Sequence, residues 1–159
     1  PLREFMMSAG LYLAKAAGEI RLVSNDSHQQ PELDYHLLDH PYDLERMRAG
    51  VRMQIELGKH SAYKGILKEV KDPLPEDLES DETLDKWLLS RAQTMHHISC
   101  TARMGAADDP MAVTNQYGQV HGIEGLRIAD LSIMPDCPRA NTNSPAMMIG
   151  ERIADFMSR

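Results

Sequence analysis

The stretch from residue 94 to residue 145 is dense in His, Gly, Asn, Pro and Met. Gly and Pro punctuate regular structure and Asn bonds its own backbone, so such a stretch favours loops and short elements. Within it, Gly125-Leu126-Arg127-Ile128-Ala129-Asp130 predicts a short buried strand ending in a carboxylate. Residues 145 to 157 then predict a final helix. Ser144 is suited to the N-cap and Pro145 to the first helical position, and Ala146, Ile149, Ile153 and Phe156 form its buried stripe.

The preceding residues show clearer periodicity. Residues 1 to 18 are rich in Leu, Met and Ala and end near Gly18. Glu19-Ile20-Arg21-Leu22-Val23 alternates as a strand does, Ser24-Asn25-Asp26-Ser27 reads as a turn before Pro31, and residues 32 to 38 read as a short extended segment. Asp43 opens a predicted helix in which Leu44, Met47, Val51 and Ile55 share one face, with Gly58 as its stop. Residues 71 to 83 are acidic, hold two prolines and read as an exposed connector. A second helix starts around Ser80-Asp81-Glu82-Thr83 and carries Leu84, Trp87, Leu88 and Ala92 on one face. Strands and helices so ordered predict an α+β fold.

A chain of 159 residues with 42% hydrophobic and 26% charged residues can bury a real core. Its net charge of -7 and lack of a Lys/Arg block argue against nucleic acid as a partner. No apolar run approaches the roughly 20 residues that span a bilayer, so no membrane segment is expected. Cys100 and Cys137 are too few for a disulfide framework and lack zinc-knuckle spacing, which leaves the redox compartment open. The chain opens on Pro1 with no signal-like segment after it, so a piece of a longer protein is expected.

Two clusters carry residue types suited to chemistry. In Met95-His96-His97-Ile98-Ser99-Cys100, an imidazole placed at a cleft would titrate near neutrality and could take a proton from an alcohol. Taken alone, the same histidines are better explained as surface or core residues making local hydrogen bonds. Asn141-Thr142-Asn143-Ser144-Pro145 precedes the final helix, whose unpaired N–H groups could hold an anion, or could simply be a capped helix start. His96, His97, Cys100, His121 and Cys137 are ligand types for zinc, but their spacing matches no usual ligand pair, and no metal is expected. Asp130 and Asn115 read equally well as turn residues, and His121-Gly122 as a turn before the strand.

Taken together, Thr101-Ala102-Arg103-Met104-Gly105, Val120-His121-Gly122, the run Gly125-Leu126-Arg127-Ile128-Ala129-Asp130-Leu131-Ser132-Ile133-Met134-Pro135, and Asn141-Thr142-Asn143-Ser144-Pro145 closely resemble the C-terminal signature of the glucose–methanol–choline (GMC) oxidoreductases, in order and in spacing. Gly18-Glu19-Ile20-Arg21-Leu22, Ser24, Asp26, Pro31-Glu32-Leu33-Asp34 and Asp43-Leu44-Glu45 also resemble the family's substrate domain. The resemblance spans most of the chain and is weakest at residues 60 to 90. It departs from the family at Asn115, where a carboxylate is usual, and at Cys100, where glycine is usual.

The resemblance implies a substrate domain over residues 1–123, with a mixed or antiparallel sheet packed by helices. Residues 124–159 would add the strand and helix that complete the FAD domain of the intact enzyme. It makes His97 and Asn141 the catalytic residues, His97 accepting or stabilising the hydroxyl proton and Asn141 holding the same oxygen. It places Asp130, Leu131, Thr142, Asn143, Ser144 and Pro145 at FAD, the hydride acceptor in oxidation of an alcohol to a carbonyl. The Gly-x-Gly-x-x-Gly turn that holds the FAD pyrophosphate is not in these 159 residues. The chain is therefore expected to need an N-terminal FAD-binding half, and alone to be inactive and either marginally stable or self-associating as a homo-oligomer. The rival reading is a binding or assembly domain that kept the fold without FAD.

Overall fold

The computed structural model describes residues 5–159; residues 1–4, where the opening Leu-, Met- and Ala-rich segment starts, lie outside the described residues. The chain forms two compact units, one ending at Gln93 and the other spanning Thr94–Arg159.

The first unit holds two helices and a hairpin. Helix α1 spans Pro41–Gly58 and helix α2 spans Asp81–Arg91. Strands β1 (Glu19–Arg21) and β2 (Glu32–Asp34) pair antiparallel, with Ile20 opposite Leu33. The turn between them is built as its residues suggest: Ser24 Oγ accepts from the Asp26 N–H at 3.0 Å, and Asp26 Oδ1 from the His28 N–H at 3.0 Å. The sheet is thus a hairpin of two three-residue strands, smaller than the expected packed sheet, and Ile20 and Leu33 are exposed. The α+β class holds, with the helices supplying most of the core.

Helix α1 begins at Pro41, two residues before the expected Asp43 start. Pro41 brings a helical φ, and His40 Nδ1 accepts from the Tyr42 N–H at 3.2 Å, so the first turn needs no Asp cap. Asp43 is instead 0% exposed. Its carboxylate accepts from the Lys15 N–H at 3.0 and 2.8 Å and from the Ala16 N–H at 2.8 Å, fastening the irregular opening segment onto α1. The helix ends on Gly58, but its cap is Lys59 in a right-handed conformation, so no left-handed glycine turn stops it.

Helix α2 starts where its sequence predicts. Ser80 Oγ accepts from the Thr83 N–H at 3.1 Å and Thr83 Oγ1 from the Ser80 N–H at 3.0 Å, so two orphan donors are satisfied reciprocally. Leu84 and Leu88 bury against Leu38 and Val51, with Leu44, Met47 and Trp87 partly buried around them. Full burial of each such aliphatic side chain contributes about 1.5–3 kcal/mol. Arg48 on α1 donates to both Asp85 oxygens on α2, at 3.1 and 2.9 Å. The acidic connector is pinned to α2 through Asp72, which accepts from Trp87 Nε1 at 2.8 Å and faces Arg91 Nε at 3.3 Å. It also folds into a 3-10 turn over Pro75–Leu78.

The second unit is mostly loop, closed by helix α3 over Asn143–Met157. Ile149 and Ile153 bury against Ile133, with Met104, Ile128, Leu131, Met134 and Phe156 around them. The predicted stripe of α3 is therefore its buried face. Its start is not as predicted: the cap is Thr142, not Ser144, and Pro145 is the third helical residue. A proline there costs no hydrogen bond, because the whole first turn lacks intrahelical acceptors for its N–H groups.

The strand expected over residues 125–130 shrinks to one bridge, Gln119 to Arg127, and Leu126 is exposed. Its backbone–backbone bonds across to the preceding loop are two: the Ile128 N–H donates to the Gly118 carbonyl at 2.8 Å and the Val120 N–H to the Leu126 carbonyl at 3.1 Å. A strand needs a ladder on a neighbour, and this pairing is too short to provide one. Gly118 is required here. Its φ is +70°, and a Cβ would lie 2.6 Å from the Ile128 carbonyl oxygen and 2.8 Å from Ile153 Cδ1.

Candidate active site

A staggered set of backbone bonds positions the histidine segment. The N–H groups of Cys100, Ala102 and Met104 donate to the carbonyls of Leu131, Ser132 and Ile133, at 3.2, 2.9 and 2.8 Å. The acceptors belong to a 3-10 turn over Leu131–Ile133, capped by Asp130, whose Oδ1 accepts from the Ser132 N–H at 2.7 Å. Ile133 anchors that turn in the core under α3. The polypeptide from 100 to 104 is thereby laid along the turn that leads towards Asn141.

His97 lies at the end of this arrangement, half-buried, with its Nδ1 3.0 Å from Thr142 Oγ1. The Thr142 N–H approaches the same nitrogen at 3.5 Å. Thr142 is 3% exposed, and its carbonyl accepts the first helical bond, from the Ala146 N–H at 2.9 Å. Its hydroxyl makes no cap bond to the helix. The side chain that would ordinarily cap α3 is spent on the imidazole.

Asn141 is exposed and precedes Thr142 directly, so the two predicted catalytic residues lie on the two segments that the His97–Thr142 contact joins. Asn143 and Ser144 are exposed at the first two positions of α3, and Pro145 is half-buried at the third. Asp130 and Leu131 line an open cleft of about 590 Å³ together with Ile98, Ser99, Thr101 and Ala146. The cleft therefore joins the histidine segment, the Asp130 turn and the first turn of α3.

Other candidates lie elsewhere. His96 is exposed with φ +62°, its N–H donating to Thr94 Oγ1 at 3.0 Å. His121 Nε2 donates to the Gly105 carbonyl at 3.2 Å, which makes it a local brace. Asn115 closes a turn: its Oδ1 accepts from the N–H groups of Tyr117 and Gln119, at 2.9 and 3.1 Å. No group of three or more His, Cys, Asp or Glu among the described residues is placed to hold a metal ion. No helix among the described residues is long and apolar enough to cross a membrane.

Two features were invisible in the sequence. Thr142 holds the imidazole from 45 positions away, a separation with no local signature. Cys100 and Cys137 meet, with Sγ atoms 3.9 Å apart and Ser99 Oγ 3.2 Å from each. Burial pushes the Cys100 thiol up, Cys137 and Asp136 add to that, and the Ser99 hydroxyl opposes it. Cys100 also holds φ +72°, a left-handed conformation that costs a residue with a Cβ about 1–2 kcal/mol.

The family model described as GMC oxidoreductase matches residues 14–150. An oxygen-dependent choline dehydrogenase of Stenotrophomonas maltophilia is 37% identical over 156 residues, covering 96% of this chain and 27% of that protein. A 5-(hydroxymethyl)furfural oxidase of Methylovorus is 38% identical over 151 residues, covering 88% of this chain and 28% of that protein. Among solved structures, a variant of Aspergillus oryzae formate oxidase superposes with a TM-score of 0.81 at 32% identity, covering 91% of this chain and 25% of that one. The chain thus spans about a quarter of the length of the relatives it matches.

Proposed function

The chain belongs to the GMC oxidoreductase family, and from that premise we propose that it supplies the substrate-side residues of a flavin-dependent enzyme that oxidises an alcohol to a carbonyl. The observation that carries this reading is the His97–Thr142 contact at 3.0 Å, which holds an imidazole beside Asn141 and the start of α3.

The residues fit a flavin. Asn143 and Ser144 lead α3, where no earlier helical carbonyl faces their N–H groups, and the positive end of the helix dipole favours negative charge. Asp130 and Leu131 line the cleft beside them. These residues, with Thr142 and Pro145, would hold one edge of FAD. When bound, FAD supplies the acceptor for the hydride.

The residues of this chain manage the oxygen and its proton. In the tautomer that serves as a base, His97 Nδ1–H donates to Thr142 Oγ1, in place of the long 3.5 Å contact in which Nδ1 accepts from the Thr142 N–H, and leaves the Nε2 lone pair to accept the hydroxyl proton. The Asn141 amide would hold the same oxygen and fix its orientation. Ring orientation by Thr142 matters because proton transfer requires the nitrogen within hydrogen-bond reach of the hydroxyl.

In the intact enzyme we assign residues 1–123 to the substrate domain and 124–159 to the FAD domain. Within this chain the compact units divide after Gln93, and residues 126 and 128 bond back to residues 120 and 118. The remaining FAD site, including the pyrophosphate turn, would come from an N-terminal half.

The test is the visible spectrum of the intact protein, recorded without oxygen before and after a panel of choline-like, aliphatic, aromatic and sugar alcohols. Bleaching of a flavin band by one class is the expected result and identifies the substrate class. A protein that carries no flavin would overturn the proposal in favour of a binding or assembly domain.

A further inference from the structure

We propose that Cys100 and Cys137 form a reversible disulfide, made by a hydroperoxide, that ties the histidine segment to the loop leading into α3. They are the two cysteines of the chain, and they stand 3.9 Å apart, sulfur to sulfur. A bond requires the sulfurs to close to about 2.05 Å.

The surroundings give the pair an order of reaction. Cys100 Sγ donates to Ser99 Oγ at 3.2 Å, and the Ser99 hydroxyl, at 3.2 Å from Cys137 Sγ, is then free to donate to that sulfur. Cys137 is exposed to an incoming hydroperoxide, whereas Cys100 is half-buried and its burial pushes its thiol up. Cys137 is therefore the attacking thiol and Cys100 the resolving one. The Cys137 thiolate attacks the terminal oxygen of the hydroperoxide, the O–O bond breaks, and an alcohol (water, for hydrogen peroxide) leaves. The Cys100 sulfur then attacks the Cys137 sulfenic acid, the S–O bond breaks, the S–S bond forms and water leaves. Two thiols lose two electrons and two protons, and one hydroperoxide is reduced.

Cys100 follows His97 by three residues and Cys137 precedes Asn141 by four. The bond would close a second link between segments already joined by His97 and Thr142. That it clamps a catalytic pair rests on the function proposed above; the bond itself rests on the thiol geometry alone.

The experiment uses the intact, folded protein. Fully reduced protein is treated with hydrogen peroxide, alkylated in denaturant, digested with trypsin without reductant and weighed by mass spectrometry. Cleavage after Arg91, Arg103, Arg127 and Arg139 isolates residues 92–103 and 128–139, each with one cysteine. The expected product is these two peptides joined, at their summed mass less two hydrogens, and separated again by dithiothreitol. Cys100→Ser should abolish it and leave a dimedone-reactive sulfenic acid on Cys137; Cys137→Ser should abolish it with no sulfenic acid on Cys100 at the same peroxide dose. Recovery of both cysteines alkylated, or individually oxidised without linked peptide, would overturn the proposal. The linked peptide is read whether or not any alcohol bleaches the flavin, so its failure is distinct from failure of the proposed function.

Discussion

Replacing Asp43 tests how the first unit is held together. In the native protein its buried carboxylate receives the N–H groups of Lys15 and Ala16. Hydrogen bonds to a charged group contribute about 1.5–3 kcal/mol each. Asp43→Ala removes both acceptors from a fully buried position and leaves the two donors behind, so a loss of about 3–5 kcal/mol is expected. Asp43→Asn should be milder. One oxygen, at the present Oδ2 position, can still accept both N–H groups at 2.8 Å, while the amide nitrogen meets the Lys15 N–H without accepting from it. A loss of about 1–2 kcal/mol follows from the missing charge assistance. Urea unfolding followed by the fluorescence of Trp87, the one tryptophan of the chain, reports this unit directly. An Asp43→Ala loss below about 1 kcal/mol, or an Asn variant as unstable as the Ala variant, would refute the reasoning, since neither fits a buried acceptor of two backbone donors.

Three further outcomes follow from the geometry. Gly118→Ala should cost about 1–2 kcal/mol from its φ of +70° alone and more from the approach to the Ile128 carbonyl, which a lowered melting temperature would record. The pKa of His36 is raised, first by its bond to the Ala17 carbonyl and then by Asp34. Its contribution is therefore full below about pH 6.5 and lost as pH rises through the folded-state value. His36→Asn, which tolerates the φ of +47°, should lower the melting temperature at pH 5.5 and leave it near wild type at alkaline pH. In the intact enzyme His97→Ala should reduce turnover about 10²–10⁴-fold, and Thr142→Val, which removes the hydroxyl, by a smaller factor that Thr142→Ser restores. Equal turnover in wild type and His97→Ala would remove His97 from the chemistry.

The helices were readable from sequence because an apolar stripe is local information. Leu84 and Leu88 on α2, and Ile149 and Ile153 on α3, are buried as their spacing predicts. Helix starts were less readable, since the residue best suited to open a helix can be committed elsewhere. Asp43 serves the opening segment, and Pro145 is tolerated anywhere in a first turn. The strand over 125–130 failed as a prediction because a strand is a property of pairs, and Arg127 finds only Gln119. Within the site, His97 and Asn141 are legible only through their spacing in the family signature. The hydroxyl that orients the ring, and the meeting of two thiols separated by 37 positions, are facts of the fold and have no local trace.

Thr142 sets a trap for anyone who would make this protein tougher. Its hydroxyl faces His97, so α3 starts without the side-chain cap that is ordinarily worth about 1 kcal/mol. A library screened only for heat resistance would be drawn to position 142, where Asp or Asn can cap the helix. Each such winner would leave the imidazole without its hydroxyl anchor. Selection schemes should therefore hold this position constant, or score survivors for turnover before counting them as improvements.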